Sequence, residues 1–438
     1  MVWRLTWRGE GARARGSPLL ALCHGPARGC YNAAAVASRV VWFLVGAAMT
    51  ALLIFLVYQV PFVNDRLEWR LDAASGIVRG WLRPGDSLPT PRATFVVVTP
   101  TARPATPTPQ VSATPAPTAT PLPPSVSLTA PQWEKQDWNN CGPATLALAL
   151  RMFGWDGDQF DVSDLLKPDR GDKNVNIEEL VYYVRNRAGW LNADFRVGGT
   201  IDGLKRFLAA GYPVVIEKGF ILDDNDGGGG WAGHYLLLTG YDDGEGVFLT
   251  QDSNKGPDRR VPYEEVDAGW KEFNRVFLYL YAPEAQAEID ALLGPDADRD
   301  RNRDRAIEAA EAEVEADPQD PYAWFNLGSN LVYFERYGEA ADAFDTALNL
   351  GLPWRFTRYQ FGPYLAYFHQ GRFDELVELT DYTLFRTNKA EESRLWRGWA
   401  RYRLGDRFGA IEDFRAALGV NPYYLDAHYA LEFVGATP

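Results

Sequence analysis

From Val40 to Val60 the chain runs 21 residues without a charged side chain, enough to span a bilayer as one helix. No other stretch has that character. After residue 130 the apolar residues fall into short periodic groups. Ala144 to Leu150 and Ile177 to Val184 repeat at helical spacing, as do Ile201 to Ala210. Val214 to Glu217, His234 to Tyr241, Val247 to Asp252 and Arg275 to Tyr281 read as strands, rich in β-branched and aromatic residues. Helices first and strands later predict an α+β domain with an antiparallel sheet over 131–283.

From 304 to 438 the pattern is helical throughout and repeats. Gly328, Ala340, Phe344 and Ala347 recur seventy residues later as Gly398, Ala410, Phe414 and Ala417. Two periods of about 35 residues match the tetratricopeptide spacing. A degenerate copy lies between them, around Tyr364, Tyr367 and Phe373. Ala306, Ala310 and Pro318 form half of an earlier one, and 423–434 a capping helix. An all-α tetratricopeptide solenoid is expected, with a concave face that recruits a protein or peptide.

Between span and domain, residues 84–130 are dominated by Pro, Thr, Ala, Ser and Val. Such a stretch builds no core and is expected as an extended stalk, reaching on the order of 140 Å at about 3.1 Å per residue. Residues 61–83 mix Leu67, Trp69, Leu71 and Trp81 with arginine, as an interfacial amphipathic helix does. Residues 284–303 read as a charged connector. Asp296, Asp298 and Asp300 lack the glycine and the closing glutamate of a calcium loop, since Arg301 and Ile307 stand there. The run Asp223 to Asp226, before four glycines, reads as a flexible loop.

Charge sharpens this map. Residues 1–83 carry ten arginines against four acidic residues, or +6, so the remainder carries −20 of the net −14. An acidic body excludes nucleic acid as a partner. Six arginines and one acid precede the span, which predicts residues 1–39 inside and the C-terminal domains outside the cell.

Cysteine is scarce: Cys23, Cys30 and Cys141. Cys141 directly precedes Gly142-Pro143-Ala144, where proline suits the first turn of a helix. A sulfur there faces unpaired N–H groups and the positive end of the helix dipole, which favour thiolate. The domain's one histidine is His234. A hairpin centred near residue 243 pairs positions summing to about 486, which sets His234 opposite Asp252 on one face. A register change of one residue would make Asn254 the partner instead. The constellation is nucleophile, base and orienter. Taken singly, Cys141 reads as a small core residue, His234 as a core histidine and Asp252 as a strand-end cap. One Cys and one His leave too few ligands for zinc, so neither metal nor cofactor is expected.

Gln136, Asn140-Cys141-Gly142-Pro143-Ala144, Gly233-His234 and Gln251-Asp252-Ser253 together resemble the papain-like cysteine peptidases, specifically the bacteriocin-processing, double-glycine-leader peptidase-like families. The resemblance implies Cys141 as nucleophile, His234 as general base and Asp252 as orienter. It implies that the Gln136 side chain and the Cys141 N–H form the oxyanion hole. The family's glutamine commonly stands six before the cysteine, where this chain has Lys135. Gln136 stands five before, and Gln132 is a second choice. The expected whole is a single-span, extracytoplasmic peptidase with repeats that recruit partner or substrate. The alternatives are an inactive peptidase-like domain in an envelope scaffold, and a thiol-dependent acyltransferase or amidase.

Overall fold

A computed structural model describes residues 28–82, 88–91, 121–222 and 230–438. The tail before residue 28, most of the stalk and the loop at 223–229 lie outside the described residues. The chain divides into two units, residues 1–68 and 69–438.

In the first unit, α1 (Arg28–Tyr58) contains a run from Arg39 to Tyr58 with mean hydropathy 2.6, long and apolar enough to cross a membrane. The helix stops short of the expected Val60, because Pro61 disfavours helical geometry in the residue before it. Pro61 itself opens α2 (Pro61–Leu82).

The second unit begins, within its sheet, at β1 (Ser125–Ser127). Then follow α3 (Cys141–Arg151), α4 (Gln159–Leu166), α5 (Ile177–Arg187), β2 (Asn192–Arg196) and α6 (Ile201–Ala209). Next come β3 (Val214–Leu222), β4 (Gly230–Asp242), β5 (Val247–Asp252), β6 (Gly256–Pro262), α7 (Tyr263–Lys271) and β7 (Phe277–Tyr281). The strands form one antiparallel sheet in the order β2-β7-β3-β4-β5-β6. Strand β1 lies against Gly240 to Asp242 of β4, beyond the end of β3. It was expected as stalk. Main-chain pairing recruits it, together with Tyr241 Oη donating to Pro123 O at 2.7 Å.

Strand β6 carries two prolines and a mostly exposed polar face, so no period-2 signal marks it; it survives as an edge strand. The β4–β5 hairpin closes at Asp242 and Val247, with a bulge between Leu238 and Gly240. Its pairs sum to 488 and 489 rather than 486. The four-residue turn and the bulge together shift the register by an even step at the end that carries His234, which keeps His234 and Asp252 on one face.

The stretch 284–303 is folded rather than a bare connector. It holds α8 (Gln286–Leu293) and the start of α9 (Arg299–Ala316). Ile289 and Leu293 are buried against the sheet's second core. Arg196 holds the intervening turn by donating to Asp296 O and Ala297 O.

Three helix pairs follow: α10 (Pro321–Tyr333) with α11 (Tyr337–Leu350), α12 (Gly362–His369) with α13 (Phe373–Arg386), and α14 (Glu391–Arg403) with α15 (Arg407–Val420). Helix α16 (Leu425–Phe433) closes the stack. The repeated glycines have a steric cause. A Cβ on Gly328 would sit 2.7 Å from Phe344, and one on Gly398 would sit 2.5 Å from Phe414. This is a tetratricopeptide-type solenoid after an α+β domain.

The two parts share a core. Leu146, Tyr235 and Leu237 of the sheet domain belong to one buried cluster with Phe325, Phe344, Phe356 and Leu379 of the repeats. Polar contacts follow the same seam. Asn326 donates to Lys271 O at 2.8 Å, Asn274 to Asn330 Oδ1 at 2.8 Å, and Asn421 to Leu166 O at 3.0 Å. Helix α10 and the end of α15 thus meet the sheet domain, as does α14, where Glu392 accepts from Asn176 at 2.9 Å, so that part of the repeat surface is already covered by the same chain.

Candidate active site

Helix α3 starts at Cys141 and packs its buried face on β4. Thr145 Oγ1 donates to Tyr235 O at 3.2 Å. The missing side chain at Gly142 lets Tyr235 come close: a Cβ there would meet its ring at 3.3 Å. This contact brings the helix start to the strand that carries His234.

Asp252 Oδ1 lies 2.9 Å from His234 Nε2, both side chains being buried. The imidazole is also hydrogen-bonded to the Cys141 sulfur. Asp252 Oδ1 further accepts the N–H groups of Asn254 and Lys255 at 2.8 and 2.9 Å. Asn254 therefore helps to fix the carboxylate through its main chain. Asp252 is at once a turn cap and the partner of the histidine.

The electrostatics follow from this chain of contacts. Burial opposes charge on all three groups, and the mutual hydrogen bonds overcome it. His234 is raised to about 9, against the pull of burial, by Asp252 and Cys141. Asp252 is held down to about 2, despite burial, mainly by His234. Burial raises Cys141, but His234 and the N–H groups of Tyr235 and Gly142 bring it below its ordinary value. The arrangement shifts the balance toward thiolate beside imidazolium.

Gln136 stands close by on the loop before α3. Its N–H donates to Ser253 O at 2.9 Å, and its Oε1 accepts from Ser253 Oγ at 2.9 Å. With Oε1 taken up by Ser253, Nε2 remains as the donor of that amide. Lys135 and Gln132 are exposed. Residues 127–278 match the Peptidase_C39 like family.

Solved structures similar to this chain are all of low identity, one a C39-like peptidase and two tetratricopeptide proteins. A C39-like peptidase from Bacillus anthracis is 19% identical, covers 36% of this chain and 97% of its own, and has a TM-score of 0.30. MamA, residues 41 to the end, from Desulfovibrio magneticus RS-1 is 16% identical, with 34% and 84% covered and a TM-score of 0.29. YrrB, a TPR protein with an unusual peptide-binding site, is 17% identical, with 34% and 90% covered and a TM-score of 0.19. Among curated proteins nothing matched.

Two residues of the C39-like site escape a reading of motifs. Gln159, buried at the start of α4, accepts Asp137 N at 2.6 Å and Asn140 Nδ2 at 2.9 Å on Oε1. Its Nε2 donates to Lys135 O and Glu134 Oε2. It ties down both ends of the loop that carries Gln136 and Cys141. The signal available was a polar residue right after Asp158, a good helix cap. The other is Tyr359, from the turn between α11 and α12. It lies against Gly233, where a Cβ would meet its ring at 3.0 Å. Burial raises Tyr359, and its contact with Gly233 puts this part of the repeats beside the residue preceding His234. No local pattern in the sequence announces that contact.

Proposed function

We propose that the C39-like domain is a cysteine peptidase that hydrolyses peptide bonds through a thioester on Cys141. The supporting observation is the Asp252–His234–Cys141 chain, with Nε2 to Oδ1 at 2.9 Å and the sulfur at the start of α3. The thiolate attacks the scissile carbonyl. The Gln136 amide and the Cys141 N–H, an orphan donor of the helix start, stabilise the oxyanion. His234 as imidazolium donates its Nδ1 proton to the leaving amine. The thioester forms and the C–N bond breaks. Neutral His234 then takes a proton from water, whose oxygen attacks the thioester and regenerates the thiolate. Asp252 holds the ring orientation and the charged form throughout.

The helix at 39–58 anchors the protein in the cell membrane as a single span, with residues 1–39 inside and the peptidase and repeats outside. The repeats supply a rigid backing and contacts to protein or peptide. The test is cleavage of a peptide library by the full chain in detergent, alongside Cys141→Ala and His234→Ala. Cleavage lost in both supports the reading. Wild-type protein that cuts no peptide, or cutting that survives in Cys141→Ala, sinks it. The full chain matters here, since a truncation at residue 131 removes β1.

A further inference from the structure

The stalk reads as unable to join any core, yet four of its residues lie on the repeats. Leu88 is 2% exposed and belongs to the same buried cluster as Leu348, Leu352 and Leu379. Its N–H donates to Leu352 O at 3.2 Å. Pro89, Thr90 and Pro91 continue over Leu348, Tyr367, Glu375 and Leu379, with a void of only about 20 Å³ left between them. Thr90 is exposed, and the prolines are half-buried. The groove lies chiefly between α11 and α13, the second helices of two successive pairs. It is separate from α10 and α14, which meet the C39-like domain.

The groove is rigid. Tyr367 Oη donates to Asp345 at 2.6 Å, and Arg372 bridges Asp345 and Glu375 at 2.8 and 2.7 Å. The ligand segment is suited to it. Proline at 89 and 91 fixes φ and leaves no N–H to satisfy, so little entropy is lost on docking. One leucine supplies apolar burial, and one main-chain hydrogen bond sets the direction. These are the elements of extended, proline-rich peptide recognition.

We propose that this groove is a binding site for an extended leucine-proline peptide, occupied in cis by Leu88 to Pro91 of the chain's own stalk. The stalk is thereby latched to the repeats. A partner with the same chemistry enters only by displacing the latch. Because the cis segment belongs to the same chain, its effective concentration is high, and a free peptide competes poorly.

The test uses the full chain in detergent and a fluorescent peptide copying residues 84–95, read by polarisation. The wild type binds it weakly. Leu88→Asp, which frees the groove, binds it at least tenfold more tightly. The same peptide with Asp in place of its leucine does not bind. Leu88 lies on a segment that no helix depends on, so the variant keeps its fold, as circular dichroism would verify. Cys141→Ala behaves as wild type in this assay, which separates the latch from the peptidase chemistry. The inference is overturned if Leu88→Asp binds the peptide no better than wild type, or if the Asp-bearing peptide binds equally well.

Discussion

Two clusters of buried ionisable groups lie in the 69–438 unit, and burial has opposite outcomes in them. At the start of α3, thiol, imidazole and carboxylate alternate in charge, so each stabilises the ionised form of its neighbour. At the seam between α5 and α14, Asp172, Glu179, Glu391 and Glu392 gather, with Lys167 acting on Asp172 and Glu391. Glu392 accepts Asn176 Nδ2 at 2.9 Å, but Glu391 Oε2 is buried with no partner. Burial first, then the neighbouring acids, raise Glu392 to about 8, and burial raises Asp172 to about 6 even against Lys167. Glu179 and Glu391 rise as well. Lys167 falls through burial. Sequence of charge, rather than depth, decides whether a buried group is ionised. The first cluster stores reactive charge. The second makes the joint between domain and repeats sensitive to pH.

The comparison is broken most severely by removing a member of the first cluster. Cys141→Ala and His234→Ala are each expected to reduce peptide cleavage by on the order of 10⁴-fold or more, measured as kcat/KM. Gln136→Ala leaves the charged trio intact and removes one oxyanion donor. It should lower kcat by about 10²- to 10³-fold with little change in KM. An unchanged kcat would transfer that role away from Gln136.

The second cluster answers to pH. Its carboxyls have folded values above their unfolded ones, so the folded state holds more protons. Its contribution to stability is greatest below the unfolded carboxyl value near 4 and declines as pH rises through about 6 and about 8. Glu392→Gln keeps an acceptor for Asn176 and removes one proton-binding site. It should raise Tm at pH 9 relative to wild type and change it little at pH 4. The first cluster behaves otherwise. Asp252 lends stability that persists above pH 4 and fades as pH falls through about 2. His234 lends stability below 6.5 that fades as pH rises through about 9. A repeat substitution has the smallest reach: Gly398→Ala, pressed on Phe414, should cost about 1–3 kcal/mol of stability and leave the Cys141 chemistry unchanged.

How much of this was legible differs by region. The strand Val247–Asp252 is read directly, since its β-branched and aromatic run is bounded by turn residues. The face shared by His234 and Asp252 is legible too, because parity survives an even register shift. The actual register is not, since the bulge near Thr239 depends on packing against β1 and β5. Gly328 and Gly398 announce their helix pairs because a repeat prints the same steric need twice. Tyr359, Gln159 and the Leu88 groove depend on contacts across many residues, and single side chains carry no mark of a distant partner. The acid seam was hidden for a related reason: Glu391 and Glu392 resemble any acidic helix start until α5 is placed against them.

The most direct measurement is the rate of Cys141 alkylation by iodoacetamide against pH, in wild type and His234→Ala, with labelling at residue 141 read by mass spectrometry. Reactivity in the wild type should titrate below the ordinary thiol value of 9.0 and change again near 9 as the imidazolium is lost. His234→Ala should move the thiol back to or above 9.0. Superimposable curves for the two proteins would contradict the account.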